Sequence, residues 1–406
     1  DWSLDVCSSD LLELTSKCNI NCRYCHNADF SNKPDDMSTN DIKSLVASLK
    51  QEYPIDKILL TGGEPLLNPD IINIIAYISS LGIKVDMVTN GKLLTKEKIS
   101  AMEKAGLKRI RLSIDGFEEH KKYRIGSDPY ELWNLCEYIK KETNLNLVVH
   151  TVCSTHNVDT LIKIYDKIVE IGVDRWRVFD IGYSGDAAKY ISEFDVSQYY
   201  ERFIENIAQV IKKYIDQNMS DKLDIEVNGV FKTNLLGNVY DQFYSVDNEN
   251  LYNHLMEGAT CSYLYHQMTI RSNGKSTLCQ YYHDTIFDFS KYNYNATVAR
   301  ANPCHTSEGT MKLKDVLHCN NCKYVLVCNS GCRSKAQFLT GTITSPDPVA
   351  CVIMPLVYSK IIPLLDEKSR KGFEKLLLNG DEPFYSADSL YHLIQNQIKY
   401  QAEKSY

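Results

Sequence analysis

The sequence predicts an α/β fold in which parallel strands alternate with helices. Between residue 11 and about residue 180, short runs rich in Ile, Leu and Val recur, and an amphipathic helical pattern separates each run from the next. Strands that crossover helices bury on both faces have this near-continuous apolar character. Six strand–helix units of this kind make either an open parallel sheet or a barrel-like one.

Each element has a local signal. Ser38 and Thr39 form a capping signal before a helix whose apolar residues fall on one face. A second helix is predicted to begin after Thr95 and to end at Gly106, and a third to end at Gly172. The predicted strands are Leu11–Thr15, Lys57–Thr61, Lys84–Thr89, Arg109–Ile114, Leu147–Thr151 and Trp176–Asp180.

Distinctive motifs come directly after the first four predicted strands. They are, in chain order, "TSKCNINCRYC", "TGGEP", "TNG" and "SIDGF". The carboxyl ends of parallel strands lie at one rim of an open sheet or barrel, and ligands collect there. We therefore expect all four motifs on one rim.

The rest of the chain changes character after about residue 215. Cysteine density rises and helical periodicity fades, as in a small domain held by metal rather than by a large core. The first ten residues, "DWSLDVCSSD", differ in character from the strand–helix region, and we expect a disordered or non-native leader. The predicted divisions are 1–10 leader, 11–215 strand–helix domain, 216–260 bridge, 261–356 cysteine-rich domain and 357–406 helical tail.

The composition argues against several classes of protein. The net charge of −7 offers no basic excess for nucleic acid. No secretory signal is visible, and the longest apolar stretch is interrupted by Pro355, Lys360 and Pro363, so no membrane span is expected. We predict a cytoplasmic protein. Because thiols stay reduced there, its 14 cysteines favour metal binding over disulfides.

Cys18, Cys22 and Cys25 have the spacing C-x3-C-x2-C. Cysteine thiolates select zinc, copper(I) or iron–sulfur clusters. A structural zinc site normally has four protein ligands, and only His26, awkwardly placed, stands near as a fourth. An iron–sulfur cluster on three cysteines would leave one iron open. The spacing alone does not distinguish a zinc site from an iron–sulfur cluster.

The other motifs on the predicted rim suit the parts of one small ligand. Paired glycines permit close backbone approach, and the glutamate after them could receive an ammonium group. An asparagine and an aspartate could bond ribose hydroxyls, a tyrosine offers an aromatic face, and an arginine could pair with a carboxylate. Together they describe an amino-acid nucleoside conjugate. The residues are Gly62, Gly63, Glu64, Asn90, Asp115, Tyr24 and Arg124.

From about residue 11 to 215, the ordered set C-x3-C-x-Tyr-C, "TGGEP", "TNG", "SIDG" and "YR" resembles the radical S-adenosylmethionine (SAM) enzymes. The resemblance implies a partial (β/α)6 TIM-like barrel and a [4Fe–4S] cluster on Cys18, Cys22 and Cys25. SAM would chelate the fourth iron. The resemblance adds Ser113 to the rim residues that would bind SAM. The implied activity is cleavage of SAM to a 5′-deoxyadenosyl radical that abstracts hydrogen from substrate. An electron donor such as flavodoxin or ferredoxin is implied too.

Each motif also has a plainer interpretation. Gly62-Gly63 or Asp115-Gly116 alone is more often a turn, Arg124 alone a surface charge, and a lone cysteine triplet a zinc half-site. Their joint order on one rim favours the enzyme.

The later cysteines have zinc-like spacings, so a treble-clef zinc domain is one interpretation. Their full pattern resembles the SPASM extension of radical SAM enzymes, with "SNGK" in its hairpin. That resemblance implies one auxiliary [4Fe–4S] cluster on Cys319, Cys322, Cys328 and Cys351. A second would have only Cys261, Cys279 and Cys332. Its fourth position is either an open iron, which we favour, or filled by Cys304 or His254.

We expect a maturase of ribosomally made peptides that forms a thioether or another crosslink, or epimerises a residue with Cys153 or Cys304 as thiol donor. We expect no leader-recognition domain before the first strand; a separate protein could supply it, truncation could have removed it, or the reaction could do without it. The alternatives are an aminosugar or cyclitol dehydrogenase, a sulfatase-maturing formylglycine enzyme and a zinc-stapled binding module. Gln280, where sulfatase-maturing enzymes look to have an acidic residue, weighs against the formylglycine role, and Asp284 is a poor substitute.

Overall fold

The chain forms two compact units. The first comprises Asp1–His150 and Ser262–Thr310, and the second Thr151–Cys261 and Met311–Tyr406. The predicted domain boundaries stay a prediction. The computed structural model describes residues 9–30, 33, 35–53, 55–193, 199–227, 231–232, 248–258, 260, 268–277, 279–282, 284–296 and 311–404.

Strands and helices alternate over the first part of the chain. The strands are β1 Ser9–Glu13, β2 Asn21–Cys22, β3 Lys57–Thr61, β4 Lys84–Thr89, β5 Leu107–Ser113, β6 Arg124–Ile125, β7 Asn146–Cys153, β8 Arg175–Asp180, β9 Asp224–Val227, β10 Phe231–Lys232, β11 Thr269–Ile270, β12 Lys275–Thr277 and β13 Phe287–Asp288. The helices are α1 Thr39–Glu52, α2 Ile71–Ser80, α3 Lys96–Ala105, α4 Glu118–Tyr123, α5 Pro129–Glu142, α6 Leu161–Ile171, α7 Asp186–Lys189, α8 Tyr199–Asp216, α9 Asn248–Glu257, α10 Val325–Cys328, α11 Arg333–Thr340, α12 Pro348–Lys360, α13 Glu367–Lys375 and α14 Ala387–Lys404. Short 3-10 turns span Ala28–Phe30, Pro65–Leu67, Val158–Thr160, Ile191–Glu193, Phe289–Tyr292, Leu313–Asp315 and Ile362–Leu364.

In the first unit the strand order is β7-β5-β4-β3-β1-β11-β12-β13. The pairs from β7 to β11 are parallel, whereas β11–β12 and β12–β13 are antiparallel. The predicted hairpin at "SNGK" is therefore present as β11 and β12. It extends the parallel sheet at the β1 edge.

The predicted α/β class is confirmed, and the six predicted strands are all present with small shifts at their ends. Ser38 caps α1, Thr95 caps α3, and Gly106 and Gly172 end α3 and α6 in left-handed conformations, as predicted. One detail differs from the expectation of strands buried on both faces. Residues of β3 alternate between buried and half-buried, so the two faces of this strand are not equally covered.

The core of the first unit lies between the sheet and its helices. Ile42, Leu45, Val46 and Leu49 of α1 are buried, as the helical pattern predicts. Burial of each such side chain stabilises the unit by about 1.5–3 kcal/mol. The packing fixes the strands whose carboxyl ends carry the four motifs.

In the second unit β8 pairs in parallel with β9, and β9 pairs antiparallel with β10. Trp176 of β8 is fully buried, and its indole Nε1 donates to Thr151 Oγ1 at 2.9 Å. The interrupted apolar stretch forms α12, which contains Pro355 and packs on α8. Within the described residues, no helix combines the length and apolar character needed to cross a membrane.

Candidate functional site

The segment between β1 and Cys18 is held by the glycine motif after β3. Gly63 N donates to Thr15 O and Glu64 N donates to Lys17 O, both at 2.8 Å. A Cβ on Gly62 would lie 2.4 Å from Thr15 O, and one on Gly63 would lie 2.1 Å from Lys17 O. Only glycine allows this approach, so Gly62 and Gly63 position the segment that leads into the cysteines.

The cysteine loop is also paired with the "YR" motif. Cys22 lies opposite Arg124 in the antiparallel β2–β6 pair, and Arg23 N donates to Tyr123 O at 3.0 Å. Cys25 N donates to Cys22 O at 3.0 Å, which closes a tight turn. The loop is thus fixed from both sides, and the three thiols are brought together.

Burial controls the state of these thiols. Burial raises the pKa of Cys22 to about 12; the Arg124 cation opposes this shift, and the charges of Cys25, Asp115 and Cys18 add to it. Burial raises the pKa of Cys18 as well. Metal binding would displace the thiol protons and supply the positive charge that the site lacks for three thiolates.

The chemistry of the donor set fits an iron–sulfur cluster. Cysteine thiolates are ligands of such clusters, and in a four-iron cluster each cysteine binds a different iron. Cys18, Cys22 and Cys25 therefore suit the cluster that the sequence predicts, with one iron left for another ligand.

A buried polar group lies beside Cys22. Asp115 is 2% exposed and its Oδ2 accepts from Arg124 Nε at 2.7 Å and from the Tyr24 hydroxyl. Arg124 Nη1 lies 3.9 Å from Cys22 Sγ, and its guanidinium stacks 5.3 Å from the Tyr24 ring centre. His120 Nδ1 accepts from Asp115 N at 3.1 Å. Tyr24, Asp115 and Arg124 are thus joined to one another and to the cysteine loop.

Glu64 is fully buried and joins two of the motif loops. Its Oε1 accepts from Thr89 Oγ1 at 2.6 Å and from Leu66 N at 3.1 Å, and its Oε2 accepts from Asn90 N at 2.8 Å. Burial raises the pKa of this carboxyl, and the three hydrogen bonds oppose the shift. Both carboxylate oxygens are used within the chain.

Asn90 reaches the first cysteine. Its Nδ2 donates to Asn19 Oδ1 at 2.8 Å and lies 3.9 Å from Cys18 Sγ. Ser113 ends β5 and is buried. The predicted rim residues are therefore together in the first unit, at the carboxyl ends of β1, β3, β4 and β5. Their direct contacts with a cosubstrate stay a prediction.

Sequence reasoning missed Arg271, which is fully buried in the same unit. Its Nη1 donates to Glu13 Oε1 and to Asn27 Oδ1, both at 2.8 Å. Its Nη2 donates to the backbone oxygens of Gln280 at 3.0 Å and Tyr282 at 2.9 Å. Arg271 therefore ties the segment after Cys279 to β1 and to the turn after Cys25. A buried arginine in a hairpin offers no local signal of such partners.

Four later cysteines gather in the second unit. Burial raises the pKa of Cys319 and of Cys351 to about 12. Burial also raises the pKa of Cys328 well above its usual value, and the charges of Cys351, Cys319, Asp347 and Cys322 add to that shift. Such mutual influence requires proximity. The structure thus brings together the four cysteines predicted to share one cluster.

The remaining predicted ligands belong to different units or lie outside the described residues. Cys279 belongs to the first unit, where Thr277 Oγ1 donates to its backbone oxygen at 3.0 Å. Cys332 belongs to the second unit and precedes α11, and its N donates to Asp347 Oδ2 at 2.8 Å. Cys261 and Cys304, and the side chain of His254, lie outside the described residues. Their ligand roles stay predictions. Cys153 is buried at the end of β7.

A family model described as the radical SAM superfamily matches residues 12–181. The AdoMet-dependent heme synthase of Methanosarcina barkeri is 25% identical over 362 residues, which are 84% of this chain and 95% of the relative. The PqqA peptide cyclase of Bradyrhizobium diazoefficiens is 24% identical over 358 residues, 85% of this chain and 86% of the relative. Streptococcus suis SuiB bound to precursor peptide SuiA shares the fold, with a TM-score of 0.60, 16% identity, and coverage of 85% of this chain and 76% of SuiB. The predicted partial-barrel architecture is thereby confirmed.

Proposed function

Because residues 12–181 form a radical SAM domain, which makes this protein a radical SAM enzyme, we propose that its substrate is a peptide from which it abstracts hydrogen. The observation that carries the proposal is the PqqA peptide cyclase relative, since its match extends over 85% of this chain and includes the cysteine-rich region. The fold shared with SuiB in complex with a precursor peptide supports the same substrate class.

Cys18, Cys22 and Cys25 would hold the first [4Fe–4S] cluster. When bound, this cluster and SAM supply one-electron cleavage of the sulfonium to a 5′-deoxyadenosyl radical, which removes hydrogen from an unactivated carbon. The chain's own task is to bind, to orient and to exclude competing reactions. Gly62, Gly63 and Arg124 do the orienting, because their contacts fix the cysteine loop on both sides.

We assign SAM binding to the rim residues predicted from sequence. Asn90 lies beside Cys18 and Tyr24 presents its ring beside Arg124, so both are placed to meet a ligand at the cluster. Glu64 and Asp115 are engaged within the chain, and they would act by holding Asn90 and Arg124 in place. The proposed set is Tyr24, Gly62, Gly63, Glu64, Asn90, Ser113, Asp115 and Arg124.

Two auxiliary [4Fe–4S] clusters complete the proposal. Cys319, Cys322, Cys328 and Cys351 would hold the first of these, and their proximity supports the assignment. Cys261, Cys279 and Cys332 would hold the other, with an open iron, Cys304 or His254 in the fourth position. An open iron could ligate a substrate thiol, which would suit formation of a thioether. Another crosslink, or epimerisation with Cys153 or Cys304 as thiol donor, is the further option.

The reaction needs partners that supply an electron and present the substrate. We propose a flavodoxin or a ferredoxin as the electron donor and, where the peptide carries a leader, a separate leader-recognition protein. The cytoplasm is the proposed compartment, because it keeps the many thiols reduced.

Anaerobic reconstitution tests the proposal. Three four-iron clusters correspond to about 12 irons per chain. With a chemical reductant and SAM, the protein should form 5′-deoxyadenosine, and a peptide substrate encoded nearby should increase that formation and change in mass. Two or more zinc ions per chain with little iron would refute the enzyme. 5′-Deoxyadenosine formation without a response to any neighbouring peptide would refute the peptide substrate.

A second candidate is a reaction that forms heme. The heme synthase relative favours it, since that match extends over 95% of the relative. Parallel incubations with a heme precursor separate the two functions, because only the true substrate should be consumed in step with 5′-deoxyadenosine.

A further inference from the structure

The loop between Cys328 and Cys332 has an uncommon backbone. Asn329, Ser330 and Gly331 have φ values of 49°, 62° and 72°. Left-handed conformations are costly for residues with a side chain and persist only where the surroundings impose them. A Cβ on Gly331 would lie 2.6 Å from Cβ atoms of Ala350 and Asp347, so close packing imposes the turn here. The turn carries the Ser330 side chain into the interior.

Ser330 has a hydroxyl that makes no hydrogen bond within the described protein. The residue is 3% exposed, and its Oγ has no partner among the described residues. Leaving a buried polar group unpaired costs about 1–3 kcal/mol. A strained turn that places a hydroxyl in such surroundings points to an acceptor that the polypeptide does not provide.

Arg333, three residues after Ser330, also has a buried donor without a hydrogen-bond partner in the described chain. It is 2% exposed, and its Nη1 donates to the backbone oxygens of Ile343 and Ser345 at 2.7 Å each. Its Nη2 donates to Ser330 O. Its Nε has no partner, and no ion pair joins this guanidinium to a carboxylate of the described chain. A buried cation whose direct hydrogen bonds reach only neutral oxygens is compensated less than one in a direct ion pair, and the nearby negative charge is that of Asp347.

Two charged groups lie near Arg333, because its cation acts on the thiol of Cys319 and on the carboxylate of Asp347. The nearby carboxylate is Asp347, whose oxygens accept from Cys332 N at 2.8 Å and from Val349 N at 2.9 Å. Cys319 is therefore the group near Arg333 that becomes an anion when a cluster binds.

We propose that Ser330 Oγ and Arg333 Nε donate hydrogen bonds to sulfur atoms of the auxiliary cluster held by Cys319, Cys322, Cys328 and Cys351. The inference rests on the proposed function, which supplies that cluster. Thiolate and sulfide are hydrogen-bond acceptors, and hydrogen bonds to them set cluster reduction potentials. Donors stabilise the more negative, reduced state, so Ser330 and Arg333 raise the reduction potential of this cluster.

An EPR-monitored redox titration tests the inference. The background variant carries Cys18→Ala, Cys22→Ala, Cys25→Ala and Cys279→Ala, which isolates the signal of the auxiliary cluster in question. Ser330→Ala should shift its midpoint potential to more negative values. Ser330→Gly should give the same shift without backbone strain, and Arg333→Lys, which keeps the charge but loses Nε, should also shift it negatively.

Ser345→Ala is the matched control. Ser345 is buried too, but its hydroxyl pairs with Tyr385 Oη at 2.9 Å, so we expect little change in potential. An unchanged potential in Ser330→Gly with four irons bound would overturn the inference and leave the proposed function intact. Failure of the background protein to bind four irons at these cysteines would instead overturn the auxiliary-cluster part of the proposed function, and this inference with it.

Discussion

Buried arginines lie beside both sets of described cysteines, but their partners differ. In the first unit, Arg124 pairs with Asp115 at 2.7 Å and Arg271 pairs with Glu13 at 2.8 Å. In the second, the hydrogen bonds of Arg333 within the described residues go only to backbone oxygens. Nε lacks a partner there in both Arg271 and Arg333, so the direct ion pair is what separates the two arginines. The arginines of the first unit bond a carboxylate directly, whereas within the described residues Arg333 does not, and the buried Ser330 hydroxyl beside it has no partner there.

The difference is reasonable for the two kinds of cluster proposed. A cluster on three thiolates must keep one iron accessible to an exchanging ligand, so the surrounding loop has to keep its shape without it. A cluster on four thiolates is fully ligated and carries one more thiolate charge. Its surroundings can therefore include donors that only the cluster satisfies.

Removing the first three cysteines should have the largest effect. Cys18→Ala with Cys22→Ala and Cys25→Ala should abolish 5′-deoxyadenosine formation and lower the iron content by about four per chain, since one cluster is lost. Iron analysis and chromatography of the reaction products measure both. Cys136→Ala, at a buried cysteine of α5 outside both sets, is the control and should keep both. Retained 5′-deoxyadenosine in the triple variant would refute the assignment of the site.

The order of motifs on the rim could be predicted because it depends on local signals: strand ends, glycines and cysteine spacing. The pairing of charged side chains could not be predicted from the sequence. Arg271 and Glu13 are 258 positions apart, and neither has a neighbour that signals the other. Glu64 and Arg124 were predicted to meet the ammonium and carboxylate groups of a ligand, but the structure engages them with Thr89, Asn90 and Asp115. A sequence shows which groups are charged, and the fold decides which partners they reach.

Arg271→Met should have the second-largest effect. It leaves the Glu13 carboxylate buried without its cation, which costs about 3–5 kcal/mol of unfolding free energy. Urea denaturation of the metal-free protein measures the loss. Arg333→Met should cost less in the same metal-free protein, because Arg333 makes no direct hydrogen bond to a described carboxylate and the larger charge effect on nearby Asp347 comes from Lys335.

Adding Glu13→Gln to Arg271→Met should recover part of the loss, since the uncompensated charge is gone. Equal losses for Arg271→Met and Arg333→Met, or no recovery in the double variant, would contradict the difference drawn between the two regions.

The first unit should also have a specific sensitivity to acid through His120. Burial lowers the pKa of this imidazole from 6.5 to about 4. Between those pH values the unfolded chain binds a proton that the folded chain does not, so stability falls as pH falls. The full difference is on the order of 3 kcal/mol. His120→Asn, which offers an amide oxygen to Asp115 N, should lack this component. Parallel stability–pH curves for the two proteins would show that His120 does not titrate as its burial implies.

Tyr24→Phe should have the smallest effect and separates two roles of one residue. The hydroxyl donates to Asp115, and its loss removes one charge-assisted hydrogen bond worth about 1.5 kcal/mol, measured by denaturation of the metal-free protein. The ring that stacks 5.3 Å from the Arg124 guanidinium is kept, so the aromatic face proposed for SAM remains. SAM affinity of the reconstituted protein should therefore change little, whereas Tyr24→Leu should weaken it. A large loss of SAM affinity in Tyr24→Phe would instead mean that the hydroxyl and Asp115 belong to the binding surface itself, and that the first region does not complete its hydrogen bonds without the ligand.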